Sequence, residues 1–280
     1  MSQSKPGFIL VHGAWHNAGT WKHVIPRLET EGYVARALDL PGAGANAKYP
    51  EAYSRRPLDA AAFASEPSPN AGVTQEERTR AVIAAIEDLG RPAVLVGHSL
   101  GGLTISAVAQ AVPERLAAVV YLTAFLLPPG MPALAMIQHE AMASALVPSL
   151  FLADPAQVGV LRLDPRSDDL AYRANLKAAF YADVDDDELA AAVPALHCDE
   201  PAGVAVTSSP VTADRFGRVP RHYIRCLNDR AIPLAGQDFM IAAVDAAIGG
   251  TTKVSTLAAS HSPFYSQPAK LVEVLRDIAG

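Results

Sequence analysis

The sequence predicts an α/β fold in which a mostly parallel sheet is flanked by helices and carries an inserted helical cap. Two observations support this prediction. Short, continuous apolar runs, typical of buried parallel strands, alternate with segments of helical spacing. The alternation stops between about residues 128 and 218, where helical patches occur without convincing strands. We therefore expect a core at 1–127 and 219–280 and a cap at 128–218.

The first part of the chain alternates strand and helix. The apolar run at 7–11 is the first predicted strand, and the helix at 74–90 carries a capping box, with Thr74 as N-cap and Glu77 three residues later. An irregular stretch rich in Pro, Ala and Ser occupies 43–72, and its sequence indicates no role. The other elements predicted here are strands at 34–40, 92–97 and 116–126, and helices at 17–32 and 100–112.

The cap contains only helical patches, and the alternation of strand and helix resumes after it. The run at 220–227 is the predicted strand at which the alternation resumes. The other predicted elements are helical patches at 131–147, 169–182 and 186–196, a helix at 233–249, a strand at 252–258 and a closing helix at 267–279.

Composition and charge argue against several classes of function. The 280 residues are 50% hydrophobic with a net charge of -6 and no block of Lys or Arg, so neither nucleic acid nor a membrane is an expected partner. The longest apolar stretch falls short of the roughly 20 residues that span a bilayer, and the N-terminal run is too short for a secretory signal. Cys198 and Cys226 show no metal-type spacing. We expect a cytoplasmic protein with reduced thiols and no metal.

A candidate nucleophile lies between the strand at 92–97 and the helix that follows it. Residues 97–101 read Gly-His-Ser-Leu-Gly, which fits the G-x-S-x-G pattern of a sharp strand-to-helix turn. Glycines at both ends allow close packing, and the turn lifts the Ser99 hydroxyl clear of the sheet at the positive end of the helix. We interpret Ser99 as a nucleophile rather than as a polar turn residue.

A serine nucleophile needs a base, and His261 is the histidine best placed to be one. It follows the last predicted strand, where a loop at the carboxyl edge of the sheet could bring its imidazole to Ser99. His98 is adjacent to Ser99, but it lies in the turn itself and its side chain should point elsewhere. The remaining histidines lie on an early loop or helix, in the cap or inside a strand: His12, His16, His23, His139, His197 and His222.

The acid that orients the base is expected after a late strand. Asp229 comes two residues after the strand at 220–227 and too early to be the N-cap of the helix that begins at Pro233. Asp39 is a weaker alternative and is more typical of a turn residue. We predict Asp229 as the third member of a Ser99, His261 and Asp229 triad.

Attack of a serine on a carbonyl carbon also needs donors for the developing oxyanion. The N–H of Leu100, directly after the nucleophile, is one predicted donor. The second is the N–H of Ala14, in the loop after the first strand, where Gly13 allows a close approach to the reacting carbonyl.

The substrate pocket is expected to be apolar, and Trp15, beside the oxyanion loop, is a better candidate for its lining than the cap residues. Apolar cap residues either line the pocket or form the core of the cap itself, and the sequence leaves both readings open. The cap candidates are Met131, Leu134, Met136, Ile137, Phe151, Leu152, Phe180 and Tyr181. The selected pocket residues are Gly13, Trp15, Phe125, Met136, Phe151 and Phe180.

Four segments together resemble the methylesterase and hydroxynitrile-lyase-like branch of the α/β-hydrolase superfamily, which includes small bacterial carboxylesterases and pyrethroid hydrolases. The segments read VHGAWHNAGTW at 11–21, GHSLGG at 97–102, YIRCLNDRAIP at 223–233 and ASHSPFYSQP at 259–268. The resemblance covers nearly the whole chain and is weakest over 43–72 and the cap. It implies a serine esterase for small hydrophobic or aromatic esters, with no cofactor and a small-molecule ester as partner.

Two departures bear on which reaction the branch implies. Its cyanohydrin-cleaving members have a threonine at the position of Gly13 and a lysine at the position of Ser262. Without that ammonium group no cation stabilises a departing cyanide, so the resemblance favours ester hydrolysis over the lyase reaction.

Other functions remain as alternatives at this point. One is a cofactor-free dioxygenase or hydroxynitrile-lyase-type enzyme on the same fold, with His261 as base and Ser99 as a hydrogen-bond donor. Another is a hydrolase-like ligand receptor with slow turnover. A serine-directed phosphonate separates them, because it blocks only an enzyme with a nucleophilic serine. The oligomeric state is left open, a homodimer included.

Overall fold

A computed structural model describes residues 5–280 of the chain. Its centre is a six-stranded sheet in which every pair of neighbouring strands is parallel. The predicted fold class is confirmed. The strands are β1 (Gly7–Val11), β2 (Ala35–Ala37), β3 (Ala93–Ser99), β4 (Leu116–Ala124), β5 (Val160–Arg162), β6 (Asp199–Pro201), β7 (Arg221–Cys226) and β8 (Lys253–Leu257).

The strand order places two loops of interest side by side. The order across the sheet is β2-β1-β3-β4-β7-β8, so the chain leaves β1 toward one edge and returns beside it as β3. The register pairs Val11, the last residue of β1, with Gly97 near the end of β3. Ligands of open α/β sheets bind at such a switch point, beyond the carboxyl ends of the strands.

Helices cover both faces of the sheet. The predicted capping box of Thr74 and Glu77 is present, and Gly90 ends that helix with a left-handed φ of 68°. The α-helices are α1 (Ile25–Thr30), α2 (Glu51–Ser54), α3 (Ala60–Ser65), α4 (Gln75–Leu89), α5 (Gly101–Ala111), α6 (Ala133–Ile137), α7 (Pro155–Val158), α8 (Leu170–Phe180), α9 (Asp186–Ala192), α10 (Ala202–Val206), α11 (Leu234–Ile248), α12 (Pro263–Ser266) and α13 (Pro268–Ala279). Single 3₁₀ turns occupy Ala18–Trp21, Gly44–Asn46, Pro113–Arg115, Glu140–Met142, Val147–Leu150, Val193–Ala195 and Phe216–Arg218.

The single helix predicted at 17–32 is wrong. A 3₁₀ turn follows Asn17, whose side chain accepts a hydrogen bond from the Gly19 N–H, and α1 starts separately at Ile25. Pro26 near the start of α1 has no N–H to continue a helix from the preceding turn. The apolar spacing that suggested one helix comes from two short ones.

The segment 128–218 lies between β4 and β7, and the prediction that it has no strands is wrong. β5 and β6 form a two-stranded antiparallel sheet there. Each has three residues, too few for an alternating pattern to be visible in the sequence. Arg162 and Asp199 join the two strands by a doubly hydrogen-bonded ion pair that is fully buried, with N–O distances of 2.7 and 2.9 Å. Helix content at 131–147 is also lower than predicted, since α6 is followed by 3₁₀ turns.

The stretch 43–72 packs against this small sheet. Phe63 of α3 belongs to a buried cluster that also contains Cys198, the residue before β6. The Arg162 guanidinium donates to the backbone carbonyls of Phe63 and Glu66. Backbone carbonyls of the stretch 43–72 thus satisfy N–H donors of the buried Arg162. The sequence alone does not indicate this role.

Side chains of the central strands alternate between two apolar layers. Val94 and Val96 of β3 belong to the layer that includes Trp21 and Phe264, whereas Leu95 belongs to the layer shared with residues of 128–218. In the part of the chain from residue 5 onward, no helix is long and apolar enough to cross a membrane.

Candidate active site

Ser99 ends β3 in a left-handed backbone conformation. Its φ is 52°, which is uncommon for a residue with a β-carbon and is typical of a strained turn at a functional site. The Ser99 carbonyl accepts a hydrogen bond from the Phe125 N–H at 3.0 Å, which ties the turn to the end of β4. The turn delivers the Ser99 hydroxyl to the carboxyl edge of the sheet.

The glycines after Ser99 are required by close packing. A β-carbon at Gly101 would lie 2.5 Å from the carbonyl oxygen of His12, and one at Gly102 would collide with the carbonyl oxygen of Phe125. Both neighbours are backbone atoms and cannot rotate away. Small residues at these two positions therefore allow α5 to start between the ends of β1 and β4.

Asp229 and His261 form a buried pair at the ends of β7 and β8. His261 Nδ1 donates to Asp229 Oδ2 at 2.7 Å, and Nε2 is the ring nitrogen that this contact leaves available. Asp229 Oδ1 accepts the N–H groups of Ala231 and Ile232 at 2.7 and 2.9 Å. The carboxylate is held by its own turn and accepts a hydrogen bond from the imidazole of the predicted base.

Thr123 is part of this arrangement and is not among the site residues predicted from the sequence. Its hydroxyl donates to Asp229 Oδ2, the oxygen that also accepts from His261. Thr123 lies near the end of β4 and has a left-handed φ of 36°. The only signal in the sequence was a hydroxyl residue at the carboxyl end of an otherwise apolar run.

The His98 side chain holds the backbone of His261. His98 Nε2 donates to the His261 carbonyl at 2.9 Å, and the two ring centroids lie 4.5 Å apart. Burial lowers the pKa of His98 well below its ordinary value, so the ring is neutral. Among the hydrogen bonds of residues 5–280, none joins the Ser99 hydroxyl to the His261 ring. Such bonds commonly tighten only when substrate binds.

The loop after β1 lies directly against Ser99. A β-carbon at Gly13 would lie 2.7 Å from the Ser99 β-carbon, so the backbone of this loop touches the serine. Ala14 and Leu100 line the same cavity as Ser99. Within the described part of the chain, neither the Ala14 N–H nor the Leu100 N–H has a hydrogen-bond partner. Two residues whose N–H groups have no partner among residues 5–280 thus line the cavity together with Ser99.

An apolar cavity opens beside Ser99. Four of the predicted pocket residues, Trp15, Phe125, Phe151 and Phe180, line it. No charged side chain is among the lining residues, so a charged group would be left there without a counter-ion. The remaining lining residues are Ala14, Leu100, Ile137, Met142, Ala145, Val147, Pro148, Leu161, Ala231 and Ile232.

The predictions of Gly13 and Met136 as pocket residues are wrong. Gly13 is packed beneath Ser99 and His98, and Met136 is fully buried in the apolar layer on the inner side of α6. Of the other cap candidates, Ile137 lines the cavity and Tyr181 instead donates to His16 Nε2 at 3.0 Å. Met131, Leu134 and Leu152 lie away from the cavity.

The predicted alternatives for base and acid have structural roles elsewhere. Asp39 accepts the N–H groups of Ala18 and Ala45 at 2.7 and 2.8 Å, so it is a loop-holding residue. His222 lies on β7, half-buried. Across residues 5–280 no group of three His, Cys, Asp or Glu side chains is placed to hold a metal ion.

The chain matches one protein family and several known enzymes. The alpha/beta hydrolase family matches residues 8–274. The pyrethroid hydrolase of Sphingobium wenxiniae is 29% identical, covering 97% of this chain and 86% of that protein. Esterase PIR7B of Oryza sativa subsp. japonica is 28% identical, covering 99% and 97%. The solved structure of a pyrethroid hydrolase from Sphingobium faniae has a TM-score of 0.78 at 27% identity, covering 99% of this chain and 98% of that one.

Proposed function

The chain belongs to the alpha/beta hydrolase family and is a hydrolase of esterase type, and on that premise we propose that Ser99, His261 and Asp229 hydrolyse small hydrophobic or aromatic carboxylic esters. One observation carries the proposal. The oriented pair of Asp229 and His261 lies at the same sheet edge as a serine that opens into an apolar cavity.

The first half of the reaction forms an acyl-enzyme. His261 Nε2 takes the proton of the Ser99 hydroxyl while the serine oxygen bonds to the ester carbonyl carbon. The carbonyl oxygen becomes an oxyanion, which the N–H groups of Ala14 and Leu100 stabilise. When the C–O bond to the alcohol breaks, the imidazolium returns its proton to the departing alkoxide, and an alcohol leaves.

The second half releases the acid. His261 takes a proton from water, whose oxygen attacks the acyl carbon and gives a second oxyanion in the same place. The bond to Ser99 then breaks and the imidazolium reprotonates the serine oxygen, so a carboxylic acid leaves. Asp229 stays ionised throughout and stabilises the imidazolium across the 2.7 Å contact to Nδ1.

The lining of the cavity supports the substrate class. Aromatic and aliphatic side chains surround the reacting position, and burial of an apolar group there would contribute about 25 cal/mol for each Å² removed from water. Trp15 and Phe180, with ring centroids 5.8 Å apart, offer faces for an aromatic ring of the substrate. An ester with a charged acyl group would be a poor substrate because nothing in the lining pairs with its charge.

A panel of p-nitrophenyl esters tests the proposal. Ser99→Ala should fold and lose turnover by about a thousandfold or more, and a serine-directed phosphonate should label the parent protein once per chain and leave Ser99→Ala unlabelled. Ser262→Ala is a matched control, since Ser262 is buried near the site and is given no chemical role. Parent-like turnover in Ser99→Ala would overturn the nucleophile.

The phosphonate also separates the proposed esterase from other functions. A dioxygenase or lyase that uses His261 as base would keep its activity after exposure to the phosphonate. A ligand receptor would bind esters without repeated turnover. Either result, together with a folded parent protein, would replace the esterase proposal.

A further inference from the structure

The peptide group between Gly13 and Ala14 carries the Ala14 N–H and is held through its carbonyl oxygen. The Gly13 carbonyl belongs to the same planar group, so the direction of this carbonyl sets the direction of the N–H. That carbonyl accepts hydrogen bonds from His12 Nδ1 at 2.8 Å and from the His16 N–H at 3.3 Å. The Ala14 N–H itself is left without a partner in the described part of the chain. Its orientation is therefore decided by the partners of Gly13.

His12 is fixed in the tautomer that this contact requires. The Leu40 N–H donates to His12 Nε2 at 3.2 Å, so the ring proton resides on Nδ1, which faces the Gly13 carbonyl. Burial lowers the pKa of His12 to about 4, and the ring is neutral at physiological pH. His12 thus acts here as a buried donor and not as a charge.

His16 holds the next peptide group in the same way. Its Nδ1 donates to the Ala14 carbonyl at 2.8 Å, and the Tyr181 hydroxyl donates to its Nε2 at 3.0 Å. Burial lowers the pKa of His16 to about 3, so this ring is neutral as well. Tyr181, at the end of α8, ties the loop to the segment inserted between β4 and β7.

Glu200 of β6 holds Trp15, whose backbone is in a left-handed conformation with φ 60°. The Trp15 N–H donates to Glu200 Oε2 at 3.3 Å, and Glu200 Oε1 pairs with Arg78 of α4 at 2.5 Å. Both charged side chains are almost fully buried. The Trp15 carbonyl accepts the N–H of His197 at 2.7 Å, so the inserted segment holds this residue on both sides.

We propose that His12, His16 and Glu200 are positioning residues that hold the loop 13–16 so that the Ala14 N–H is aimed at the oxyanion. The inference rests on the proposed esterase function. None of the three side chains lines the cavity, so they act through the backbone and not on the substrate. Two neutral buried histidines and a buried ion pair all cost desolvation free energy, which argues for a role other than stability.

The sharpest test compares His12→Leu with His12→Asn. Leucine removes the donor to the Gly13 carbonyl, whereas the asparagine Nδ2 can replace Nδ1 at that carbonyl. We expect kcat for a p-nitrophenyl ester to fall about tenfold or more in His12→Leu with KM little changed, and to recover in His12→Asn. An aryl trifluoromethyl ketone forms a tetrahedral oxyanion on Ser99. Its Ki should rise in His12→Leu by the same factor by which kcat/KM falls.

The outcomes separate this inference from the function on which it rests. Parent-like kcat and Ki in a folded His12→Leu protein, while Ser99→Ala is inactive, would overturn the positioning role and leave the esterase intact. Equal losses in His12→Leu and His12→Asn would also overturn it, because packing and not the donor would then matter. If Ser99→Ala itself keeps parent-like turnover, the esterase proposal is overturned instead.

A second variant keeps the test decisive if His12→Leu does not fold. Arg78→Met/Glu200→Met removes the acceptor of the Trp15 N–H together with both buried charges, so no uncompensated charge is left. We expect a folded protein with a lower kcat and a higher Ki for the trifluoromethyl ketone. An unchanged Ki in this double variant would count against the inference.

Discussion

Asp183 accepts hydrogen bonds from Ser260, the residue directly before His261. The Ser260 N–H donates to Asp183 Oδ2 at 3.0 Å, and the Ser260 hydroxyl donates to Oδ1. Asp183 follows α8 in the inserted segment, and its Oδ2 also accepts from the Ser266 hydroxyl at 3.0 Å. One carboxylate of the inserted segment therefore holds both ends of the loop that carries the proposed base.

Asp183→Ala should lower turnover without much loss of stability. Asp183 itself is exposed, so its removal opens no cavity, but the loop of His261 loses its anchor. We expect kcat to fall about fivefold, which corresponds to a rise of about 1 kcal/mol in the activation free energy when the loop is less well positioned. Asp187→Ala, an exposed carboxylate of α9, is the control and should leave kcat unchanged. Equal kcat in both variants would contradict the anchoring role.

Thr123→Val should impair turnover by loosening the proposed acid. Valine keeps the shape of the side chain and removes the hydroxyl that donates to Asp229. We expect kcat/KM to fall about tenfold to a hundredfold, because buried hydrogen bonds to charged groups contribute about 1.5–3 kcal/mol and each 1.4 kcal/mol is a factor of about ten. Thr104→Val removes an equally buried hydroxyl, which accepts from Gln75 on α4, and should change stability alone. The two variants are compared by steady-state kinetics and thermal unfolding.

Gly102→Ala should destabilise the fold strongly. The new β-carbon would meet the Phe125 carbonyl oxygen, a backbone atom that cannot move without breaking the end of β4. We expect the free energy of unfolding to fall by about 2–3 kcal/mol in urea titrations, at the upper end of ordinary overpacking. Gly72→Ala is the matched control, since nothing lies within 4 Å of its β-carbon position. Similar unfolding midpoints for both variants would refute this packing argument.

Phe151→Ala should widen the range of accepted esters. Phe151 lines the cavity and packs against Trp15, with ring centroids 6.2 Å apart. Its truncation enlarges the apolar space, so kcat/KM for p-nitrophenyl esters of longer acyl chains should rise relative to the acetate. The neighbouring Leu152→Ala, at a half-exposed position away from the cavity, should leave the chain-length preference as it is. An identical preference in Phe151→Ala would place the acyl group elsewhere.

Mild acid should destabilise the protein through His16. Its pKa is about 3 in the folded protein against 6.5 for the free side chain, so the unfolded chain binds its proton first as the pH falls. The free energy of unfolding should drop by about 1.4 kcal/mol per pH unit for this histidine below about pH 6.5.

The variant His16→Asn isolates that contribution, because it keeps a donor for the Ala14 carbonyl but cannot titrate. Its unfolding free energy, measured in urea between about pH 7.5 and 4.5, should fall less steeply than that of the parent. His12 and His98, whose pKa values burial also lowers, leave a residual slope in both proteins. Parallel pH profiles would contradict the burial of a neutral His16.

Local sequence patterns predicted the parts of the fold that depend on local physics. The apolar runs of the central strands, the capping box at Thr74 and the glycine that ends α4 each depend on neighbouring residues, and the structure contains all of them. The pattern at 17–32 was misleading because apolar spacing does not show where a proline interrupts the backbone hydrogen bonds.

The candidate site also contains some residues that the sequence predicted and others that it did not. Ser99, Asp229 and His261 were recognisable because each lies just after a predicted strand, and parallel strands bring their carboxyl ends to one edge. Thr123, Asp183 and Glu200 were not recognisable, because a single hydroxyl or carboxylate has no periodic signal. Their partners lie 77 to 185 residues away along the chain, as for Asp183 with Ser260 and Trp15 with Glu200.

The sequence by itself determined the family, the parallel sheet and the positions of the proposed nucleophile, base and acid. Only the tertiary structure decided which apolar residues line the cavity, placing Phe151 and Phe180 in it and Met136 in the core. It also decided that His12, His16 and Glu200 hold the loop beside Ser99. The physical reason is that strands and turns form from neighbouring residues, whereas burial and hydrogen-bond partners depend on the packing of distant segments.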